Sequence, residues 1–208
     1  MTANVLGLDT GLANAGAARI TIDGRVDTWH LETPTLDDPT PGDTADRIRT
    51  VVRWCVGRAS TDTVLAVVEE LPHATEFGQH DVRAAILWGV VGQLHRHGLL
   101  VALVNPTSMK ARITGNGRAD KTLVRSAVRQ LYPRQGLDRI GPDQADAVGL
   151  ATLGVCRLAE IRGEPWRGPW LGQRSLNLEA GFTWPRELRV DPTTRPRQLP
   201  MYEVFSHR

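Results

Sequence analysis

Asp9, Glu69, Asp143 and Asp146 are carboxylates placed where the predicted elements of this chain begin or end. Asp9 closes an apolar run, Asn4–Asp9, and is followed by Thr10-Gly11, with Gly16 opening the next run. Glu69 closes another, Thr63–Glu69. Sites in open α/β sheets lie beyond the carboxyl ends of parallel strands, so the two strand-end acids fall on one side. Asp143 and Asp146 stand three apart and share a helical face. Gly141-Pro142 starts that helix, and Ala145, Ala147, Gly149 and Ala151 keep it slim enough to approach the sheet. Each acid alone has an ordinary use: Asp143 favours a first helical turn by about 0.3–1 kcal/mol, and Asp9 serves as a turn cap. Converging, they would repel one another unless cations lay between them. Hard oxygen ligands select Mg²⁺ or Mn²⁺, and such a cluster supports two-metal phosphodiester hydrolysis.

The elements that must hold these acids follow from periodicity. Strands are predicted at Asn4–Asp9, 16–22, 25–31, Thr63–Glu69 and 99–104, the second and third joined by an Asp23-Gly24 turn. Helices are predicted over 43–58, where Ile48, Val51, Val52 and Cys55 repeat at helical spacing, over 76–97, in a short stretch after Asn105-Pro106, over 120–132 and over 142–161. The order β-β-β-α-β-α-β-α-α describes an α/β layer fold, a meander joined to a parallel pair through right-handed crossovers. One domain over 1–162 is expected, followed by a Pro/Arg/Trp-rich tail over 163–208. No apolar run approaches the ~18 residues of a membrane span, and no export signal opens the chain, so a cytoplasmic protein is expected. Cys55 and Cys156 lie among apolar residues and are expected reduced and buried.

The net charge of +2 conceals an uneven distribution. Residues 1–100 carry 8 Arg against 13 acids, whereas 101–140 carry 8 basic residues against 2 acids. Of 25 basic residues only Lys110 and Lys121 are lysines, and both lie in that basic stretch. A compact ammonium can approach a phosphate where a planar guanidinium does not fit, so two lysines kept in an arginine-rich chain point to function. Arg112, Arg118, Arg125 and Arg129 surround them and suit nucleic-acid backbone contacts, a solubilising face being the plainer alternative.

Gly7-Leu8-Asp9-Thr10-Gly11 followed by Gly16, Val67-Val68-Glu69 at a strand end, Lys110 and Lys121, and Asp143-Gln144-Ala145-Asp146-Ala147 opening a helix resemble, in order and spacing, the RuvC family of Holliday junction resolvases. The resemblance spans roughly residues 3–160. It implies an RNase H-like mixed five-stranded sheet flanked by helices on both faces, with an irregular C-terminal tail. It further implies a homodimeric crossover junction endodeoxyribonuclease of DNA recombination and repair that nicks branched DNA with Mg²⁺, Mn²⁺ substituting, at two ions per site. A branch-migration helicase is a further candidate partner. By the same resemblance Asp9, Glu69, Asp143 and Asp146 are the metal-binding acids and Lys121 joins them in catalysis. Lys110, Lys121, Arg112, Arg118 and Arg125 bind DNA. The pattern of two apolar residues before the acid selects Glu69 over Glu70. The family places an aromatic shortly after that Glu, where it helps open the junction centre; here Pro72 holds the position and Phe77 is the nearest aromatic, a departure from the family pattern.

The helix over 76–97 is apolar around most of its circumference and is expected to meet both the sheet and a symmetry mate. His73 and His80 read as incidental surface residues, and Trp166, Trp170 and Trp184 as packing onto the domain rather than stacking on bases. Two other readings compete: an RNase H-like nuclease acting on RNA/DNA hybrids or replication forks, and a noncatalytic branched-DNA-binding protein.

Overall fold

The computed structural model describes residues 2–71, 80–163 and 178–189. Its centre is one sheet in the order β3-β2-β1-β4-β5-β6. β1 (Asn4–Asp9), β2 (Asn14–Thr21) and β3 (Val26–Glu32) form the antiparallel meander, and β4 (Thr63–Glu69) and β5 (Leu100–Val104) run parallel to β1. Strand side chains alternate between faces, which divides the core in two. Val5, Leu65 and Val67 face α3 (Pro106–Thr114), α4 (Lys121–Leu131) and α5 (Pro142–Ile161). Leu6, Leu8, Ala66 and Val68 face α1 (Pro41–Val56) and α2 (His80–Arg96). By the same alternation Asp9 and Glu69 point to the α5 side, and Glu70 does not.

Local chemistry fixes the helix starts. Thr40 and Asp43 form a capping box for α1 with Pro41 at its first position, and Asn105 and Asp120 cap α3 and α4 through backbone N–H groups at 3.0 and 2.8 Å. α5 lies almost on the sheet. A methyl group on Gly7 would overlap the Ala147 carbonyl oxygen, and one on Gly16 the Asp143 carbonyl oxygen. The two glycines therefore set how closely the first turns of α5 approach β1 and β2.

Among the described residues the sheet has six strands, one more than expected. β6 (Phe182–Thr183) pairs antiparallel with β5 through Leu103↔Thr183 and Val104↔Phe182. Two residues in a Trp- and Pro-rich stretch carry no period-2 signal, so the strand is invisible to pattern reading. Leu178, Trp184 and Leu188 are buried, so Trp184 packs on the domain; Trp166 and Trp170 lie outside the described residues. Cys55 and Cys156 are free and buried in opposite layers of the core, and burial pushes each thiol up to about 12. Among the described residues no helix is long and apolar enough to cross a membrane.

Candidate active site

Asp9 and Glu69 end neighbouring parallel strands on the α5 side, and Asp146 sits one turn into α5 above them. Each offers a carboxylate oxygen within 4.8 Å of the other two. The chain geometry enforces this meeting, because glycines at 7 and 16 let α5 down onto the strand ends. Asp9 and Glu69 are half-buried and Asp146 is buried, so water disperses the accumulated charge only in part. Burial, then Glu69, Asp146 and Asp143, raise the Asp9 carboxyl well above the ordinary range. Burial and then Asp146 push Glu69 up to about 7, against the opposing pull of Lys110, Arg83 and Lys121. Burial raises Asp146 to about 6, with Lys110 and Lys121 countering. Asp146 is 6% exposed, and its Oδ1 is buried with no hydrogen-bond partner. A buried acceptor left unpaired beside two further carboxylates costs free energy that a hard cation would recover. The donor set, all carboxylate oxygen, fits a divalent ion of the Mg²⁺ type.

Asp143 stands at the rim of this group. Its Oδ1 accepts a hydrogen bond from Lys121 Nζ at 3.0 Å, and its Oδ2 lies 3.8 Å from His30 Nε2. Lys121 is 63% exposed at its side chain against 14% for Asp143, so the ammonium covers the carboxylate and also faces solvent. Partial burial works against the Lys121 charge, but the Asp143 hydrogen bond and the charges of Asp143, Asp146 and Asp9 outweigh it and raise its pKa. Beside the acids a groove of about 100 Å³ runs from Asp9, Thr10 and Gly11 to Glu70 and Arg83.

No protein-family model matches the chain. It is 32% identical over 180 residues to the crossover junction endodeoxyribonuclease RuvC of Frankia alni, a match covering 81% of each chain. The chain belongs to the RuvC family. The RuvC of Burkholderia pseudomallei is 34% identical over 154 residues, 71% of this chain and 80% of that one. Among solved structures, Thermus thermophilus RuvC superposes with a TM-score of 0.57 at 21% identity, covering 77% of this chain and 97% of that one. The same protein in complex with Holliday junction substrate gives 0.54 at 20% identity, covering 74% and 93%. The sheet and its helices are the RNase H-like fold.

Set on that RuvC framework, the basic residues take different positions. Lys110, on α3, is half-buried, and its charge acts on Glu69 and Asp146. Arg118 is exposed in the turn before α4, where its backbone N–H donates to Asn116 Oδ1 at 2.9 Å. Arg125 is half-buried on α4, its Nε without a hydrogen-bond partner. Arg112 lies over the Phe182 ring at 5.9 Å. Arg129, expected among the backbone contacts, is used inside the fold: its guanidinium donates to the Leu137 carbonyl at 3.2 Å and to that of Asp138. His80 begins α2 and is exposed, while Pro72, His73 and Phe77 lie outside the described residues.

Pattern reading missed His30 and Arg83. A two-residue Asp23-Gly24 turn would set Leu31 opposite Gly16. The actual loop holds three residues, with Gly24 at φ +90° and the Thr21 N–H donating to the Arg25 carbonyl at 3.0 Å. That shift of one position aligns Asp9, Gly16 and His30 across the sheet and turns His30 to the α5 face. Arg83 is one of many arginines, and only the placement of α2 brings it to the groove.

Proposed function

We propose that this chain is a Holliday junction resolvase: a metal-dependent endonuclease that nicks four-way DNA junctions by phosphodiester hydrolysis. The observation that carries the reading is the convergence of Asp9, Glu69 and Asp146 with an unpaired buried oxygen, in a member of the RuvC family. These three, with Asp143 at their edge, would hold two Mg²⁺ ions, Mn²⁺ substituting. Such ions, when bound, supply an activated water and stabilise the leaving oxygen of an in-line displacement.

The chain's own residues do the remainder. Lys121 fixes Asp143 at 3.0 Å and leaves an ammonium exposed beside the acids, where the charge on a scissile phosphate is offset. Lys110 lowers the repulsion felt by Glu69 and Asp146. Arg112, Arg118 and Arg125 extend the positive surface along the DNA backbone and supply affinity that falls steeply with salt. Residues 1–162 are the nuclease domain and 163–208 an appended tail, part of which packs back onto it.

A homodimer completes the activity. On α2, Asp81, Ala85, Trp88 and Gly92 form an exposed stripe at helical spacing, with Trp88 60% exposed and open space beside Gly92. Two-fold pairing along that stripe would present two active sites to opposed junction strands. Junctions arise on chromosomes, so a cytoplasmic setting and a branch-migration helicase as partner suit this activity.

The test is incubation of the protein and Mg²⁺ with a four-way junction, a linear duplex and an RNA/DNA hybrid. Paired nicks in the junction alone are expected. Equal nicking of the duplex, or preference for the hybrid, would overturn the reading.

A further inference from the structure

α2 lays Leu87, Val90 and Leu94, all buried, along the sheet. These positions repeat at helical spacing, and the same line continued one turn towards the N-terminus reaches Arg83. A place on the core-facing line of a helix is ordinarily apolar. Arg83 stays exposed because the first turn of α2 overhangs the ends of β1 and β4 instead of the sheet itself, beside Thr10, Gly11 and Leu71. Since α2 is apolar on most sides, only the folded structure picks this line out.

Among the described residues the Arg83 guanidinium takes part in no hydrogen bond or ion pair. An arginine kept only to neutralise the acids would pair directly with Glu69 or Glu70, and this one closes a pair with neither, although its charge reaches Glu69. The lysines of the site, Lys110 on α3 and Lys121 on α4, come from the opposite layer of the fold. Arg83 therefore brings a cation to the strand ends from the α2 side. It also lies across the helix from the stripe of Asp81, Ala85 and Trp88, so pairing of two copies along that stripe leaves it uncovered.

We propose that Arg83 is a substrate-binding residue that takes a phosphate flanking the scissile one on the cut strand, so that the DNA backbone crosses the strand ends between the lysines of one layer and an arginine of the other. The inference rests on the reading of the protein as a junction-cutting nuclease. A groove of about 100 Å³ that opens directly from Asp9 and Glu69 admits a single backbone link and not a duplex. A planar guanidinium with its N–H groups free suits a bidentate phosphate contact. Gripping the backbone on both sides of the bond orients the scissile phosphate over the acids.

Junction affinity in chelator, where no strand is cut, tests this in the intact chain. Arg83→Gln should weaken binding roughly tenfold at about 0.1 M salt and lower the log–log salt slope by about one, as loss of one charged phosphate contact does. Arg83→Lys, which keeps the charge, should keep the slope. Arg96→Gln, which removes the same charge from the far end of α2, should leave the slope as it is. Junctions carrying an uncharged methylphosphonate at either phosphate flanking the bond nicked in Mg²⁺ locate the contact: one of the two should weaken binding by the unaltered protein and have no further effect on Arg83→Gln. An unchanged slope in Arg83→Gln, or equal weakening of both proteins by the methylphosphonates, would overturn the inference while leaving the functional reading intact. Absence of junction binding by the unaltered protein would overturn both.

Discussion

Glu69 and Asp146 are held at about 7 and about 6, first by burial and then by their neighbours' charges. Each binds its proton more tightly in the folded chain than in the unfolded one, where carboxyl pKa values lie near 4. Their contribution is therefore fully present below about 4 and is lost as pH rises through about 7. In chelator the melting temperature should fall between pH 5 and pH 8, and added Mg²⁺ should raise it more at pH 8. A scanning-fluorimetry series settles this; a Mg²⁺ effect equal at both pH values would contradict it. Asp146→Asn should flatten the profile, abolish the Mg²⁺ response and cleavage, and keep junction binding. The acids were readable because they end apolar runs or open a helix, and Lys121 because lysine is rare in this chain. His30 was not readable, since its position depends on a one-residue loop difference, nor was Arg83, which nothing local distinguishes.

The element that decides the site is α5, which descends onto the sheet only because positions 7 and 16 lack side chains. Gly16→Ala puts a methyl group where the Asp143 carbonyl oxygen lies, so helix or strand must move. Overpacking of this kind costs about 1–3 kcal/mol, occasionally more, and should appear in urea denaturation. Because the displaced turn carries Asp143 and Asp146, cleavage should fall by about 10²-fold even where the protein stays folded. Retention of full activity would show that α5 is seated by other contacts. Most elements were readable for the same reason the glycines matter: apolar runs bounded by breakers set the extents of β1, β4 and α5 as observed. β6 escaped because it is two residues long, and the segment that carries it is held by Arg157 of a distant helix, which bonds Leu188 and lies over Trp184, rather than by a pattern of its own.

Across the molecule the chain separates its tasks by face. The α5 side holds the acids and the basic helices, and α2 on the other side leaves Trp88 uncovered. An exposed Trp in line with Ala85 and Gly92 suits a flat, close contact with a second copy. Trp88→Asp should shift the protein to monomer in sedimentation velocity, and the monomer should nick junction strands singly rather than in pairs. An unchanged sedimentation coefficient would overturn the proposed dimer contact along α2.

The same two-faced layout gives each half of the core its own timer. Cys55 lies in the α1–α2 layer and Cys156 in the α5 layer, and both thiols are buried and held at about 12. A thiol reagent can reach either one only when its layer opens. Labelling each cysteine in a variant that lacks the other would clock the two openings independently. Coincident rates would mark a single cooperative unit. Faster labelling at Cys55, on the layer without the returning segment, is the expected order, and the reverse would show that the catalytic layer is the looser half.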